Sequence, residues 1–519
     1  MSKAGPPRQP SHPAERPDTA GRAHVGLPVL GAAPSATVAP AAGRRSRVKP
    51  ARPPVVAFVS LGCAKNLVDS EAMLGRLAES GAVISGDESA ADTVVVNTCG
   101  FLEAARQEAL SIIHDLGERK KRGKLKRIVV AGCLVQRDGE KLRDAAPEID
   151  ALVGVNNRED IVQAVWRMDR DAAVDRYLGE YHAQAWDDRG RLRLTPRHYG
   201  YVRISEGCNQ KCTFCTIPSI RGPMHSKTPD ELVREAQELT ADGAREILLI
   251  GQDTTSYGID LVAKRDGLIG ADLEEFLSYS KPGRIPTDPT LGLAALLRRL
   301  DREVVDARWI RLMYVYPTIL TDAIIDAIAE CERVVKYIDI PLQHINDRML
   351  KRMARRVTRA QTEKLLEKLR RRIPGVAIRT TFIVGFPGET EAEFSELVDF
   401  VRGFGFDAAG AFEYSLEPET PAGRMPEQLD PAIKAERRGR LMEAQQEVAF
   451  AMAKRRVGSR FEVLIDGGRV ARHAGQAPDV DAVCLLPKSR RAAGEFIEVE
   501  CVGTRDYDLI CSPVTARRP

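Results

Sequence analysis

The chain has 519 residues, 43% of them hydrophobic and 29% charged, which is the content of several packed cores and the length of about three or four domains. No run of eighteen apolar residues occurs and no apolar signal segment opens the chain, so a cytoplasmic location with no membrane partner is expected. The net charge of +4 is uneven: residues 1–54 hold nine basic and two acidic side chains, a surplus of +7, which leaves −3 on everything that follows. That body lacks the basic surplus of a nucleic-acid-binding protein.

Residues 1–52 are rich in Ala, Pro, Gly and Arg without periodicity, and are expected to form a disordered basic tail; a transit peptide is the alternative, disfavoured by the prolines and acidic residues. From residue 53 to 165 the texture is that of an α/β domain. VVAFVSLGC (55–63), DTVVVNTC (92–99) and RIVVAGC (127–133) are β-branched runs separated by helical patterns, which predicts a parallel sheet. Each run ends in a cysteine, Cys63, Cys99 or Cys133. The carboxyl ends of parallel strands share one edge, so the three thiols are expected on a common rim as a three-thiolate metal site. The competing reading, three small buried hydrophobes, is weakened by the recurrence and by the adjoining glycine and threonine turns.

Residues 166–198 are expected to form a linker, and 199–445 a barrel, complete or partial. Its strand-like runs are YVRIS (201–205), EILLIG (246–251), WIRLMYVY (309–316), VKYIDIPLQ (335–343), AIRTTFIVGF (377–386) and FDAAGAFEYS (406–415), divided by charged helical stretches. Directly after the first run stands SEGCNQKCTFC, with Cys208, Cys212 and Cys215, at the face where barrels carry their chemistry. A structural zinc site closes with four ligands, and a closed ferredoxin-type cluster takes four thiolates. Three thiolates describe a cubane with one iron left open for another ligand. Residues 446–519 then alternate with period two between Gly, Pro and Asp turns, a small antiparallel β-domain. Cys331, Cys484, Cys501 and Cys511 have no ligand spacing and are expected in cores. His344 is expected to be a hydrogen-bonded core histidine rather than a ligand.

The spacing Cys-x-x-x-Cys-x-x-Cys, with Phe214 before the last cysteine, resembles the signature of radical S-adenosylmethionine (SAM) enzymes. GCAKNLVDSE (62–71), NTCGF (97–101), GCLVQR (132–137), SEGCNQKCTFCTIPSIRG (205–222), GQDTTSYG (251–258), YVYP (314–317), IDIPLQH (338–344), RTTFIVGFPGET (379–390) and FDAAGAFEYSLEPET (406–420) together resemble the radical SAM methylthiotransferases over about residues 55–519, with a TRAM-like C-terminal β-domain. The resemblance implies two [4Fe–4S] clusters, one on Cys208, Cys212 and Cys215 that binds and cleaves SAM to a 5′-deoxyadenosyl radical, the other on Cys63, Cys99 and Cys133 carrying the sulfur to be transferred. It implies SAM as both methyl donor and radical source, with Gly251, Gln252 and Asp253 near the methionyl amine, Asp339 and Gln343 near the ribose, and Ile383, Gly385 and Phe386, in a stretch running on to Gly388 and Glu389, supporting the adenine. The branch it is most similar to modifies the β-carbon of an aspartate in small-subunit ribosomal protein S-twelve, free or in the ribosome, and needs a reducing donor such as flavodoxin or ferredoxin.

Two alternatives stay open at this stage. A tRNA-modifying branch shares both clusters and all three domains. Residues 460–519 balance nine basic against nine acidic side chains, which suits docking on a basic ribosomal protein better than gripping RNA. The other alternative is a non-enzymatic iron–sulfur electron carrier or redox sensor, which two open-iron sets argue against. Three departures from the family pattern are Ala64 for a usual proline, Lys227 for a usual arginine, and an apparent insertion over 260–290.

Overall fold

The computed structural model describes residues 52–166, 175–179, 186–268, 290–487 and 491–514; the basic tail and residues 269–289 of the apparent insertion lie outside them. The first body is a six-stranded sheet with β1 (Val55–Ser60), α1 (Ala64–Glu79), β2 (Val83–Ile84), β3 (Thr93–Thr98), α2 (Glu103–Lys121), β4 (Arg127–Gly132), α3 (Cys133–Asp138), α4 (Lys141–Ala145), β5 (Ala151–Gly154), α5 (Ile161–Trp166) and β6 (Asp175–Tyr177) in chain order. Its strand order is β2-β1-β3-β4-β5-β6 and every pairing is parallel. Alternate residues feed the two faces: Val94, Val96, Ile128 and Val130 enter one core, Val95, Val129 and Ala131 the other. Burial on both faces is why these strands read as unbroken apolar runs. The expected linker supplies β6 as the sheet's edge strand, since Asp175–Tyr177 pairs with Ala151–Val153.

The second body runs through β7 (Tyr199–Arg203), β8 (Ser205–Glu206), α6 (Ile217–Arg221), β9 (His225–Ser226), α7 (Pro229–Ala241), β10 (Glu246–Ile250), α8 (Ile259–Arg265), α9 (Leu293–Glu303), β11 (Trp309–Leu312), α10 (Asp322–Glu330), β12 (Tyr337–Asp339), α11 (Asp347–Arg352), α12 (Arg359–Arg372), β13 (Ala377–Val384), α13 (Glu391–Phe404) and β14 (Ala408–Glu413). Parallel pairing joins β7, β10 and β11 on one side and β12, β13 and β14 on the other. The two halves meet at the Ile310–Val334 bridge, so the six strands form an open, partial barrel. Thr228, Thr358 and Thr390 close capping boxes on α7, α12 and α13, which fixes where each crossover helix starts.

The 25-residue α14 (Pro431–Arg455) leads to β15 (Arg460–Gly467), β16 (Val470–His473), β17 (Cys484–Leu485), β18 (Phe496–Arg505) and β19 (Asp508–Pro513). These close a barrel in the order β15-β16-β17-β19-β18, antiparallel except where β17 meets β19. Cys484, Cys501 and Cys511 are buried in its core, as Cys331 is in the larger barrel's.

The outer bodies take opposite ends of the central barrel. The C-terminal barrel meets the beginnings of the strands: Glu246, at the start of β10, is fully buried between Arg311 (2.7 Å) and Arg472 (2.7 Å), and Trp309 packs edge-on against Phe496. The N-terminal sheet meets the other end, where its cysteines lie.

Candidate active site

All three cysteines of the first set lie where β1, β3 and β4 run out. Cys63 is the N-cap of α1, Cys99 follows Thr98, and Cys133 opens α3. Each has a glycine neighbour that lets another strand end come close. A Cβ on Gly62 would stand 2.9 Å from the Cys99 Cβ, one on Gly100 would stand 2.7 Å from the Cys133 carbonyl, and one on Gly132 would stand 2.2 Å from the Asn97 side chain. Gly62 and Gly132 also have φ near +94° and +98°, a region other residues avoid. The thiols influence one another: burial pushes Cys133 up to about 12 despite Arg221, and burial and then Cys63 raise Cys99.

The second set lies on the barrel rim after β7. Burial and then Cys212 push Cys215 up to about 12, while burial followed by Asp253 raises Cys208. Phe214 stands edge-on to Phe386, which packs in turn against Tyr414, so an aromatic wall backs this loop. Arg355, stacked 4.0 Å over the Tyr316 ring, donates to the Cys212 sulfur at 3.7 Å. Among the described residues no three His, Cys, Asp or Glu side chains converge on a single-ion site. In both sets the thiols are neighbours that do not meet at a point, as a cluster with one thiolate per iron needs.

One guanidinium joins the two sets. Arg221 closes α6, six residues after Cys215, and is 2% exposed. It donates to the Cys133 sulfur from Nε (3.3 Å) and Nη2 (3.2 Å), and to Asn66 Oδ1 (2.6 Å). It also pairs with Asp69 (3.0 Å) and Glu206 (3.0 Å). Around it, Arg203 binds Asp69, Asp188 and Glu206, and Arg158 binds Asp69 and Asp188. Buried cations thus hold the sheet, the 186–194 segment and the barrel together, each carboxylate matched by a cation. Lys227, which departs from the family's usual arginine, keeps this balance through Asp188 (2.7 Å) and Glu235 (2.5 Å). Ala64 occupies the first turn of α1, where proline's missing N–H would cost nothing, so either residue fits.

The expected SAM contacts divide. Gly251 leaves no room for a Cβ, which would stand 2.9 Å from Ser205 Oγ. Gln252 donates to Glu206 (2.5 Å) and its Oε1 is buried without a partner among the described residues, as are Ser205 Oγ, Asn209 Nδ2 and Arg355 Nε. Orphaned buried polar atoms on this rim fit a polar cofactor that completes them. Asp253 is engaged otherwise: it caps the next turn and accepts from Gln210 (2.8 Å) and Ser256 (2.5 Å). Asp339 is likewise engaged, by Arg379 on Oδ1 (2.8 Å) and the Tyr314 N–H on Oδ2 (3.1 Å). Gln343 holds φ +74° and Tyr314 φ +59°, two non-glycine residues in left-handed conformation on the same rim. Gly385 (φ +71°) donates to Glu389, its absent Cβ leaving space for Lys434; Ile383 lines the aromatic wall, and Phe386 is wholly buried in it, so the backbone of this stretch rather than its phenyl ring faces outward contacts. His344 is wholly buried, its Nδ1 accepting from the Asn346 N–H (3.0 Å), as a core histidine should be. Arg221, Arg355, Lys65 and Tyr314 escaped sequence reasoning; only the position of Lys65 two residues past Cys63, and of Tyr314 at a strand end, hinted at them.

Three family models match in sequence: the uncharacterized protein family UPF0004 over 55–154, the radical SAM superfamily over 202–401, and the TRAM domain over 457–514. Among curated proteins, the chain is 39% identical over 469 residues to the ribosomal protein uS12 methylthiotransferase RimO of Trichlorobacter lovleyi, covering 88% of this chain and 98% of that protein. The proteins of the same name from Desulforamulus reducens (40%, 88% and 99% covered) and an Anaeromyxobacter species (40%, 89% and 93%) match as fully.

Proposed function

Because the chain belongs to the RimO family of radical SAM methylthiotransferases, enzymes of SAM and [4Fe–4S] clusters, we propose that it adds a methylthio group to the β-carbon of an aspartate in ribosomal protein uS12. The observation that carries the reading is Arg221, which follows the second cysteine set in the chain and donates to Cys133 of the first: Cys208, Cys212 and Cys215 would hold one cluster, Cys63, Cys99 and Cys133 the other. Bound there, the clusters and SAM supply low-potential electrons, a methyl donor, transferable sulfur and the means to remove hydrogen from an unactivated carbon, which no side-chain base achieves at neutral pH.

The chain's own residues do the rest. The guanidiniums of Arg221 and Arg355 present positive charge and N–H donors to Cys133 and Cys212, tuning the cluster each would hold. Ser205, Asn209 and Gln252 offer unpaired polar atoms to a polar ligand on the barrel rim. The paired carboxylates and cations around Asp69 tie the two domains together at the site. A reducing carrier of the flavodoxin or ferredoxin class would deliver the electrons. No helix among the described residues is long and apolar enough to cross a membrane.

The test is anaerobic reconstitution with iron and sulfide, then SAM, a strong reductant, uS12 and unmodified tRNA in one tube, read by mass spectrometry. A methylthio increment on an aspartate of uS12, absent after Cys208→Ala and after Cys63→Ala, supports the reading. Formation of 5′-deoxyadenosine should vanish with Cys208→Ala and persist with Cys63→Ala. An increment on tRNA alone would refute the substrate assignment.

A further inference from the structure

We propose that the Lys65 ammonium is the recognition point for the side-chain carboxylate of the target aspartate, an inference that rests on the function proposed above. Lys65 lies in the first turn of α1, two residues after Cys63, and is 7% exposed. Its Nζ sits 3.1 Å above the centre of the Tyr314 ring. Tyr314 follows β11 on the barrel rim, so this one contact spans the two domains at the place where the two cysteine sets face each other. Among the described residues, no acceptor lies within hydrogen-bonding distance of that Nζ, although a buried ammonium ordinarily takes one to three.

The nearby carboxylates are already engaged with other donors. Asp339 is close enough to act on Lys65 through its charge, but both its oxygens are committed to Arg379 and the Tyr314 N–H. Glu206 is equally near, with one oxygen held by Arg203 and Arg221 and the other by Gln252. Of the other two charged neighbours, Cys63 belongs to the first cysteine set and Arg221 is itself a cation. The site therefore holds a cation with hydrogen-bonding capacity left over for a partner from outside the chain. Tyr314 is held at φ +59°, a conformation uncommon for an aromatic residue and characteristic of backbone constrained for a function; here it sets the ring under the ammonium.

The chemistry of the proposed reaction says what that partner is. When hydrogen leaves, and sulfur joins, the β-carbon of an aspartate, the carboxylate is attached to the reacting carbon itself. A β-carbon held between the two cysteine sets carries its carboxylate to their shared boundary, where Lys65 stands. An ammonium–carboxylate hydrogen bond in a water-poor site fixes the rotation about the bond to the β-carbon and rejects the amide isostere, which brings no charge.

A double-mutant cycle tests this. Reconstituted enzyme, wild type or Lys65→Met, is titrated with intact uS12 and with uS12 carrying Asp→Asn at the modified position. Loss of a charged hydrogen bond predicts that Lys65→Met weakens binding of native uS12 by about 10- to 100-fold. Binding of the asparagine form should change less than about threefold, and Lys65→Arg should keep most of the preference for aspartate. Iron content of each variant reports whether the cysteine sets remain loaded. If Lys65→Met fails to load, Lys65→Gln, polar but uncharged, carries the same comparison. Equal weakening of both forms of uS12 would assign Lys65 a structural role and overturn the proposal, and so would no weakening of either. A wild-type enzyme that modifies native uS12 while the cycle fails leaves the function standing. One that neither binds nor modifies uS12 overturns both.

Discussion

Replacing Arg221 by methionine removes a side chain that touches both cysteine-bearing bodies, and the structure sets the size of the effect. The guanidinium makes five contacts under 3.4 Å, to Cys133 twice and to Asn66, Asp69 and Glu206, at 2% exposure. Taking one partner from a buried ion pair costs about 3–5 kcal/mol. Asp69 keeps Arg203 and Arg158, and Glu206 keeps Arg203, so the cost should fall at the low end, about 3 kcal/mol. That corresponds to about a hundredfold rise in local opening. Hydrogen exchange is the assay: amides of α6 and of the first two turns of α1 should lose about a hundredfold of protection, while α12, on the outside of the barrel, should not change. The Cys63 set loses the donors to Cys133, and loss of a ligand's outer partner weakens metal retention by about 10- to 100-fold. Reconstituted Arg221→Met should therefore hold roughly half the wild-type iron under dilute chelator, with Arg221→Lys intermediate. Unchanged exchange in α6 together with full iron retention would refute the reasoning.

Gly132→Ala should act on the same site through backbone alone, because a Cβ there meets the Asn97 side chain at 2.2 Å and φ is +98°. It should selectively deplete iron from the Cys63 set, whereas Gly123→Ala, with φ +70° and nothing within 4 Å, strains its turn and leaves iron content intact; equal iron in both would contradict the cradle described for the glycines. The C-terminal barrel should be acid-labile. Burial, followed by the positive charge of Arg456, Arg311 and Arg472, depresses His473 to about 3, and its Nδ1 accepts from the Gly475 N–H at 2.9 Å. The unfolded chain binds that proton near pH 6.5, so the stabilisation is complete above about 6.5 and is lost as pH falls toward about 3, a change of about 5 kcal/mol. Amide protection in β15 and β16 should fall over that interval and flatten in His473→Asn; a profile unchanged by the substitution would show that other groups set the acid limit.

Much of this architecture is local and was legible in the chain. Runs such as DTVVVNTC and RIVVAGC are apolar on both faces because the sheet is covered on both sides, and the cysteine that ends each run falls on the sheet's carboxyl edge through strand geometry alone. The triplet Cys208, Cys212 and Cys215 lies within eight residues, so its grouping needs no tertiary information. What lies across domains was decided only by packing. Residues 175–177 look like linker because a three-residue edge strand carries too little periodicity to read, yet they find a partner in β5. Asp339 has a ligand residue's position on the rim, but Arg379, forty residues on in the neighbouring strand, has taken its charge. The C-terminal barrel's even charge said nothing of where that domain sits; packing places its Arg472 and Phe496 against the end of the central barrel away from the cysteines. Arg221, 88 residues from Cys133, and Lys65, which stands over Tyr314, are ordinary basic residues in the sequence. A contact between distant residues leaves no period or spacing behind, because it is set by how whole elements pack, and both of those residues acquire their meaning only where the sheet meets the barrel.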